Sequence, residues 1–449
     1  MISDRQAKEA LPSGGFLRRY VDWGDRWIPA PTAYHLACGL TLLTQAARRE
    51  LFFPGASDLY PNLYTLLVGP SSTANKGRAI GGARKLLEEA IPDVILDHPG
   101  SPEACGGGLR DEQAQIVIYE EFGTFLASSE SGQLAPLREK YTDIYDCTPQ
   151  SRMLVRDQKA GKKAIKVKPR LSILGGCATN FLEAYTFDVD WEGGFLGRFF
   201  TICSEYEDGP EKVYTESCAT ERSGLAKLLH RYSQPEETAG ILLVSPGPCM
   251  GRTREAEKIW ADWSRKTTER AKSAPSVVRA GIARARGHAI KASLLLAWDS
   301  GSARFGGEWR ITAEEMATAI AITELHIESI ATIAEGLAPD RDARDMRVML
   351  RAFSPTEPRT FGQALARTAL NRRRGEEARI TLAVAGRIRN ANQAAGDGQA
   401  TFLVNGPKSN VIPFHRQEAK AEPKVEAVEP QEVEEPQIES PGPVIKLFD

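Results

Sequence analysis

The sequence is poor in the residues that staple or anchor a chain. Its 449 residues include seven cysteines, scattered with no Cys-x-x-Cys pair, and six histidines that form no cluster. That spacing excludes the common zinc-site patterns, and the odd count argues for reduced thiols over a disulfide framework. No apolar run approaches the ~18 residues of a membrane span, so none is expected. The first residues, Met-Ile-Ser-Asp-Arg-Gln-Ala-Lys, lack the apolar centre of a signal peptide, and the expected location is the cytoplasm. Excess charge is also missing: 57 Lys and Arg face 59 Asp and Glu. The near-zero sum hides an uneven distribution along the chain. Core material is present in ordinary amount, 42% hydrophobic, enough for a substantial interior. The length predicts two or three domains.

One stretch organises the rest. Tyr64-Thr-Leu-Leu-Val-Gly is a short apolar strand, and it leads into a loop of small residues, Pro70, Ser71, Ser72, Thr73, Ala74 and Asn75. Lys76, Gly77 and Arg78 follow, and then a helix from Ala79 to Ile91. Strand, small-residue loop, lysine and helix are what a triphosphate-binding site requires. Loop amides and the helix N-terminus face the phosphates, and the lysine adds a point charge. The spelling is irregular. Lys76 comes one position late after Gly69, the second glycine is missing, and Arg78 stands near the place of a Mg²⁺-binding hydroxyl. A strand, loop and helix without phosphate is the competing reading.

Three downstream features fit the same chemistry. Gln115-Ile-Val-Ile-Tyr is an apolar strand ending in Glu120 and Glu121, suited to a metal-side carboxylate followed by a base that polarises water. Acids opening an ordinary helix would look alike. Arg170 to Asn180 reads as another strand, with Thr179 and Asn180 at its end, the place for a γ-phosphate sensor. Arg198 sits in Glu192-Gly-Gly-Phe-Leu-Gly-Arg198-Phe-Phe, before a further strand. It suits an arginine finger acting on a neighbour's site, or an ordinary turn arginine.

Pro61 to Ser72, the Glu-Glu-Phe-Gly strand end and the Gly-Gly-Phe-Leu-Gly-Arg-Phe turn resemble a family of helicase-like P-loop ATPases of prophages, plasmids and other mobile elements, often encoded near primases. The resemblance spans about Phe16 to Trp309. It implies an α/β fold with a RecA/AAA-like P-loop core on a parallel sheet, oligomeric and acting on DNA, with ATP and Mg²⁺ as cofactors. Some relatives follow the late lysine with Gly and then Thr or Ser; Arg78 departs from that.

In chain order, residues 1–60 read as a helical N-terminal collar, with His35 as a core or interface residue, and 61–250 as the ATPase core. Within the core, Ser151 to Lys168 reads as a β-hairpin carrying Arg152, Arg156, Lys159, Lys162, Lys163, Lys166 and Lys168 against Asp157 alone. Such crowding suits single-stranded DNA in a ring's pore; the alternative is a solvated edge hairpin. Gly240 to Ser245 reads as a strand. Residues 251–338 read as a helical bundle, with Thr312-Ala-Glu-Glu315 as a capping box.

Residues 339–406 read as a winged-helix-like domain. From Arg341 to Arg389 there are 12 Arg and 5 acids, and a third helix over Glu376–Arg389 carries Arg379, Arg387 and Arg389, suited to duplex DNA backbone or to protein docking. Residues 407–449 read as a disordered acidic tail, with eight acids and two lysines from Glu418 to Glu439. Its tip, with Leu447 and Phe448, resembles peptides that dock on a sliding clamp.

The expected activity is an ATP-dependent DNA helicase or translocase. Lys76 and the loop from Gly69 to Arg78 hold the phosphates, Glu120 orients Mg²⁺, Glu121 activates water, Asn180 senses the γ-phosphate and Arg198 acts in trans. That last role demands a homo-oligomer, a hexamer among the options. The rival is a non-hydrolysing DNA-binding initiator or helicase loader with a degenerate nucleotide site. An anti-phage defence ATPase shares the same chemistry.

Overall fold

The computed structural model describes residues 1–47, 51–55, 58–110, 113–130, 134–152, 165–186, 188–192, 194–206, 212, 215–234, 251–301, 310–337, 341–354, 356–368, 370–391 and 401–404. Residues 1–404 form one compact unit. At its centre is a five-stranded parallel sheet. The strands are β1 (Tyr64–Gly69), β2 (Ile95–Leu96), β3 (Ala114–Tyr119), β6 (Arg170–Ala178) and β7 (Phe199–Cys203), and they lie in the order β2-β3-β6-β1-β7. Between β3 and β6, β4 (Gln150–Arg152) and β5 (Ile165–Val167) pair antiparallel as the base of a hairpin.

The apolar runs become strands buried on both faces, and the two-residue period sorts their side chains. Tyr64, Leu66 and Val68 face one core, with Phe122, Phe125, Leu137 and Tyr141 from the Phe122–Ser128 and Ala135–Tyr145 helices. Leu63 and Leu67 face the other, with Ile80, Ala83 and Leu87 from the Lys76–Ala90 helix. That second core also takes the Gly15–Trp27 and Thr32–Ala46 helices and much of the Ser276–Ser300 helix.

The Thr32–Ala46 helix, expected as a collar, is buried at every residue. Its hydroxyls are satisfied by the sheet: Thr41 lies 2.7 Å from Thr65 and Thr44 lies 2.9 Å from Ser172, oxygen to oxygen. The Gly15–Trp27 helix is capped from the bundle, where Asp299 accepts from the Phe16 and Leu17 amides at 2.6 and 2.9 Å.

β7 is an edge strand, and its outward amides would be open to pairing with another chain. The Ala313–Gly336 helix covers them. His326 Nδ1 accepts from the Thr201 amide and Ser329 Oγ from the Cys203 amide, both at 2.9 Å. Burial holds the His326 imidazole down at about 4, so it is neutral and can accept. By length and composition this helix could cross a membrane, but here more than half of its most apolar stretch is buried (56%).

Beyond it, the Arg341–Ala352, Phe361–Leu365 and Arg372–Val384 helices pack with a three-stranded antiparallel sheet of Arg359–Thr360, Thr401–Val404 and Ile388–Asn390. They share a small core that includes Met349, Phe353, Leu382 and Phe402. One expectation is corrected here. The third helix spans Arg372–Val384, not Glu376–Arg389. Gly386 adopts φ +66°, ending the helix, so Arg387 lies in the turn and Arg389 on the following strand. The expected strand at 240–245, most of the basic hairpin and the acidic tail with its Leu447–Phe448 tip lie outside the described residues.

Candidate functional site at the carboxyl edge of the sheet

Strand order locates the site. From β1 the chain crosses to the far edge at β2, steps back through β3 and β6, then passes over β1 to β7. Such a reversal opens a crevice beyond the carboxyl ends of the strands. Four features converge on that edge: the loop after β1, Glu120 and Glu121 after β3, Thr179 and Asn180 after β6, and Ser204 and Glu205 after β7. A cavity of about 440 Å³ there is lined by Pro70, Ser71, Asn180, Glu205 and Arg351 among others.

The loop is shaped by close approach. A Cβ on Gly69 would come within 2.4 Å of both the Ser204 carbonyl oxygen and the Tyr34 hydroxyl. A Cβ on Gly176 in β6 would meet the Glu120 carbonyl at 2.9 Å and the Ile80 side chain at 3.0 Å, with Lys76 Cβ at 3.5 Å. Gly176 lets the lysine helix and the acidic strand end approach one another, and Gly69 lets Tyr34 and the end of β7 close on the loop. Tyr34, from the buried helix, lies with its hydroxyl 2.6 Å from the Val68 carbonyl and 2.7 Å from that of Ser204, tying the ends of β1 and β7 beneath the loop.

Ser72 and Asn75 adopt φ +68° and +52°, and no side chain caps the start of the Lys76 helix. Left-handed residues beside an uncapped helix start make a concave group of amides suited to an anion. Ser71, Ser72 and Thr73 are exposed and Ala74 is buried. Lys76 Nζ folds back to donate to the Gly69 and Pro70 carbonyls at 3.0 and 2.8 Å. Burial lowers its pKa, while Cys177 and Glu121 pull the other way. A partly desolvated ammonium held by two neutral carbonyls has a stronger partner in an anion.

Glu120 and Glu121 are exposed, and Glu120 lies 3.9 Å from Arg84. Among the described residues no three His, Cys, Asp or Glu groups gather as a metal cage. A Mg²⁺ carried on a triphosphate needs none, because phosphate oxygens and water supply most of its ligands. The amide cradle, Lys76 and the two flanking carboxylates therefore fit a Mg²⁺–triphosphate.

The structure separates other expected residues from this edge. Gly77 is not among them: it follows Lys76 in the first turn of the helix, and a Cβ there would meet no atom within 4 Å. Arg78 is exposed and lines a different cavity with Trp27, Lys85 and Lys212, so its side chain is turned away from the crevice. Arg198 directly precedes β7, beside Tyr64 at the amino end of the sheet, roughly 15 Å from the loop along the strands. It is 9% exposed, donates to the Gly194 carbonyl at 2.6 Å and pairs with Asp146 at 3.5 Å. Arg156, Lys159, Lys162 and Lys163 lie outside the described residues, as does the side chain of Arg152. Arg379 is turned inward, paired with Glu376 and 5.0 Å from the Phe402 ring, whereas Arg387 and Arg389 are exposed.

Sequence reasoning missed Arg351 and Tyr34. Arg351 reaches the crevice from the C-terminal helices and ion-pairs with Glu183. No local pattern marks either residue, because only the tertiary fold brings them to the loop. The chain matches no protein-family model and no curated protein.

Proposed function

We propose that the crevice binds ATP and that the chain is an ATP-driven DNA helicase or translocase serving replication of a mobile element. One observation carries the nucleotide part. An uncapped lysine-bearing helix start and two exposed carboxylates flank the same strand, β6, at the reversal point of a parallel sheet. The DNA part rests on the resemblance stated above and on the excess of arginine from Arg341 to Arg389.

In this reading Lys76 releases the Gly69 and Pro70 carbonyls and grips the β- and γ-phosphates, with loop amides around them. Mg²⁺, when bound, neutralises charge on those oxygens, and Glu120 would hold it through water. Glu121 accepts a proton from water as the water oxygen bonds to the γ-phosphorus. The bond to the bridging oxygen breaks and its electron pair leaves with ADP. Asn180 donates to the γ-phosphate from the end of β6. The three C-terminal helices and their antiparallel sheet support a winged-helix reading, with Arg387 and Arg389 toward duplex backbone.

The second reading, a non-hydrolysing initiator or loader, is favoured by Arg198 and Arg78. A trans role for Arg198 needs its guanidinium to leave Gly194 and Asp146, and Arg78 offers no hydroxyl. Hydrolysis measured with and without single-stranded DNA decides between them. Glu121→Gln is expected to keep ATP binding and to lose turnover by about 10²-fold or more. Turnover unchanged in that variant removes the assigned base, and no turnover in the unaltered protein selects the second reading.

A further inference from the structure

Beside the nucleotide crevice is a second cavity, of about 450 Å³, between the Thr179–Tyr185 helix and the C-terminal helices. Its composition differs from that of an ordinary interdomain gap. Arg351, Arg359 and Arg367 line it, and no acid is among its described lining residues. Phe181 and Tyr185 form its wall, with ring centroids 5.8 Å apart. Phe181 is 37% exposed, the one phenylalanine so exposed among the described residues.

The three arginines are held to different degrees. Arg351 is paired with Glu183, and Arg359 donates to the Ala352 carbonyl at 2.8 Å and lies 3.7 Å from the Glu357 carboxylate. Arg367 is exposed; its backbone amide donates to the Ala364 carbonyl at 3.0 Å, and its guanidinium reaches the open face of the groove. An exposed ring costs solvation, and the Arg367 guanidinium is the cation of the three that faces the groove without an acid partner among the described residues; a ligand that carries a flat face and a phosphate together answers both.

We propose that this groove binds single-stranded nucleic acid, one base stacking on Phe181 and the adjoining phosphates meeting Arg359 and Arg367. The groove is distinct from the basic hairpin and from Arg387 and Arg389. It shares Asn180 and Arg351 with the crevice after β1. Resting on the nucleotide reading, this gives that site its effector: a strand in the groove and a triphosphate in the crevice contact the same two side chains, so each changes the other's affinity by the same factor.

The test is fluorescence anisotropy of a labelled oligothymidylate over a series of salt concentrations, with thymidine monophosphate as competitor and a fluorescent ATP analogue measured separately. Phe181→Ala is expected to weaken the oligomer about tenfold, with Phe181→Tyr restoring it. Arg367→Ala, at an exposed position, is expected to weaken it and to lower the slope of log affinity against log salt by about 0.7. ATP-analogue affinity should be unchanged in Arg367→Ala. Wild-type oligomer binding in both Phe181→Ala and Arg367→Ala overturns the groove. So does a mononucleotide that competes as well as the oligomer, which would make it a free-nucleotide site. If the unaltered protein binds no ATP analogue, the triphosphate reading fails, while loss of oligomer binding in Arg367→Ala still upholds the groove.

Discussion

At the amino end of the sheet positive charge is buried and committed. Lys291 is 2% exposed, donates to the Asn62 carbonyl and side-chain oxygens at 2.9 and 3.0 Å, and sits 3.8 Å from the centre of the Tyr145 ring. Arg170 donates to the Ala47 carbonyl, and Arg198 is held by Gly194 and Asp146. At the carboxyl end Lys76 is only partly buried, and its two partners are neutral loop carbonyls. The same residue types thus serve two ends. Both ammoniums hold two neutral oxygens at similar distances, so burial separates them: the enclosed cation serves the fold, and the part-exposed one is within reach of an incoming anion.

The largest effect expected of this contrast lies in stability. Lys291→Ala should cost about 3 kcal/mol in denaturant unfolding, because it leaves a cavity and strands the Asn62 acceptors. Burial pushes the Lys291 ammonium down from 10.5 to about 8. Between those values the unfolded chain binds the proton more tightly, so the stability contributed at Lys291 is lowest below pH 8 and rises as the pH climbs. The unaltered protein should gain on Lys291→Met with increasing pH, by at most about 1.4 kcal/mol per unit. A difference flat in pH would place the charge in water, and one that falls with pH would show the ammonium favoured by the fold.

Lys76→Ala should act oppositely, with ATP affinity reduced about 10- to 100-fold and an unfolding midpoint close to that of the unaltered protein. A collapse in stability instead would assign Lys76 to the fold and erase the contrast.

Arg198→Ala sharpens the question of a trans role. As a committed internal residue it should cost about 2 kcal/mol of stability. Loss of DNA-stimulated turnover with stability intact would move it from the first class to the second.

The smallest effect is expected at Arg78. Since its side chain faces away from the crevice, Arg78→Ser should change ATP affinity by less than about twofold, within the range of ordinary surface substitutions. A larger change would show that the helix turns on binding.

Much of this arrangement was readable from residue order. The β1 run and the small-residue loop lie where the pattern placed them, and the helix expected over Ala79–Ile91 starts three residues earlier, at Lys76. The Thr312–Glu315 capping box opens its helix as its residues require. The parallel sheet is the one that the resemblance implied. Local patterns failed where long-range packing decides. Ala385-Gly-Arg-Ile reads as continuing helix by composition, yet Gly386 turns left-handed so that Ile388 can join the C-terminal sheet. The Ser276–Ser300 helix begins earlier than its alanine-rich stretch suggests, directly after Pro275. The covering of β7 by His326 and Ser329, and the arrival of Arg351 at the crevice, join residues distant in sequence, and no window along the chain contains both partners.

The placement of Tyr34 bears on how this protein can be cut for study. A fragment that begins near Pro61, the boundary that composition suggests, would discard the phenol that joins two strand ends under the loop. It would also remove a helix whose fifteen residues are all inside. Such a fragment would present raw apolar sheet to water and a loop without its floor. Inactivity in that fragment would measure the excision, and only the chain that keeps its first helices gives a fair reading of the site.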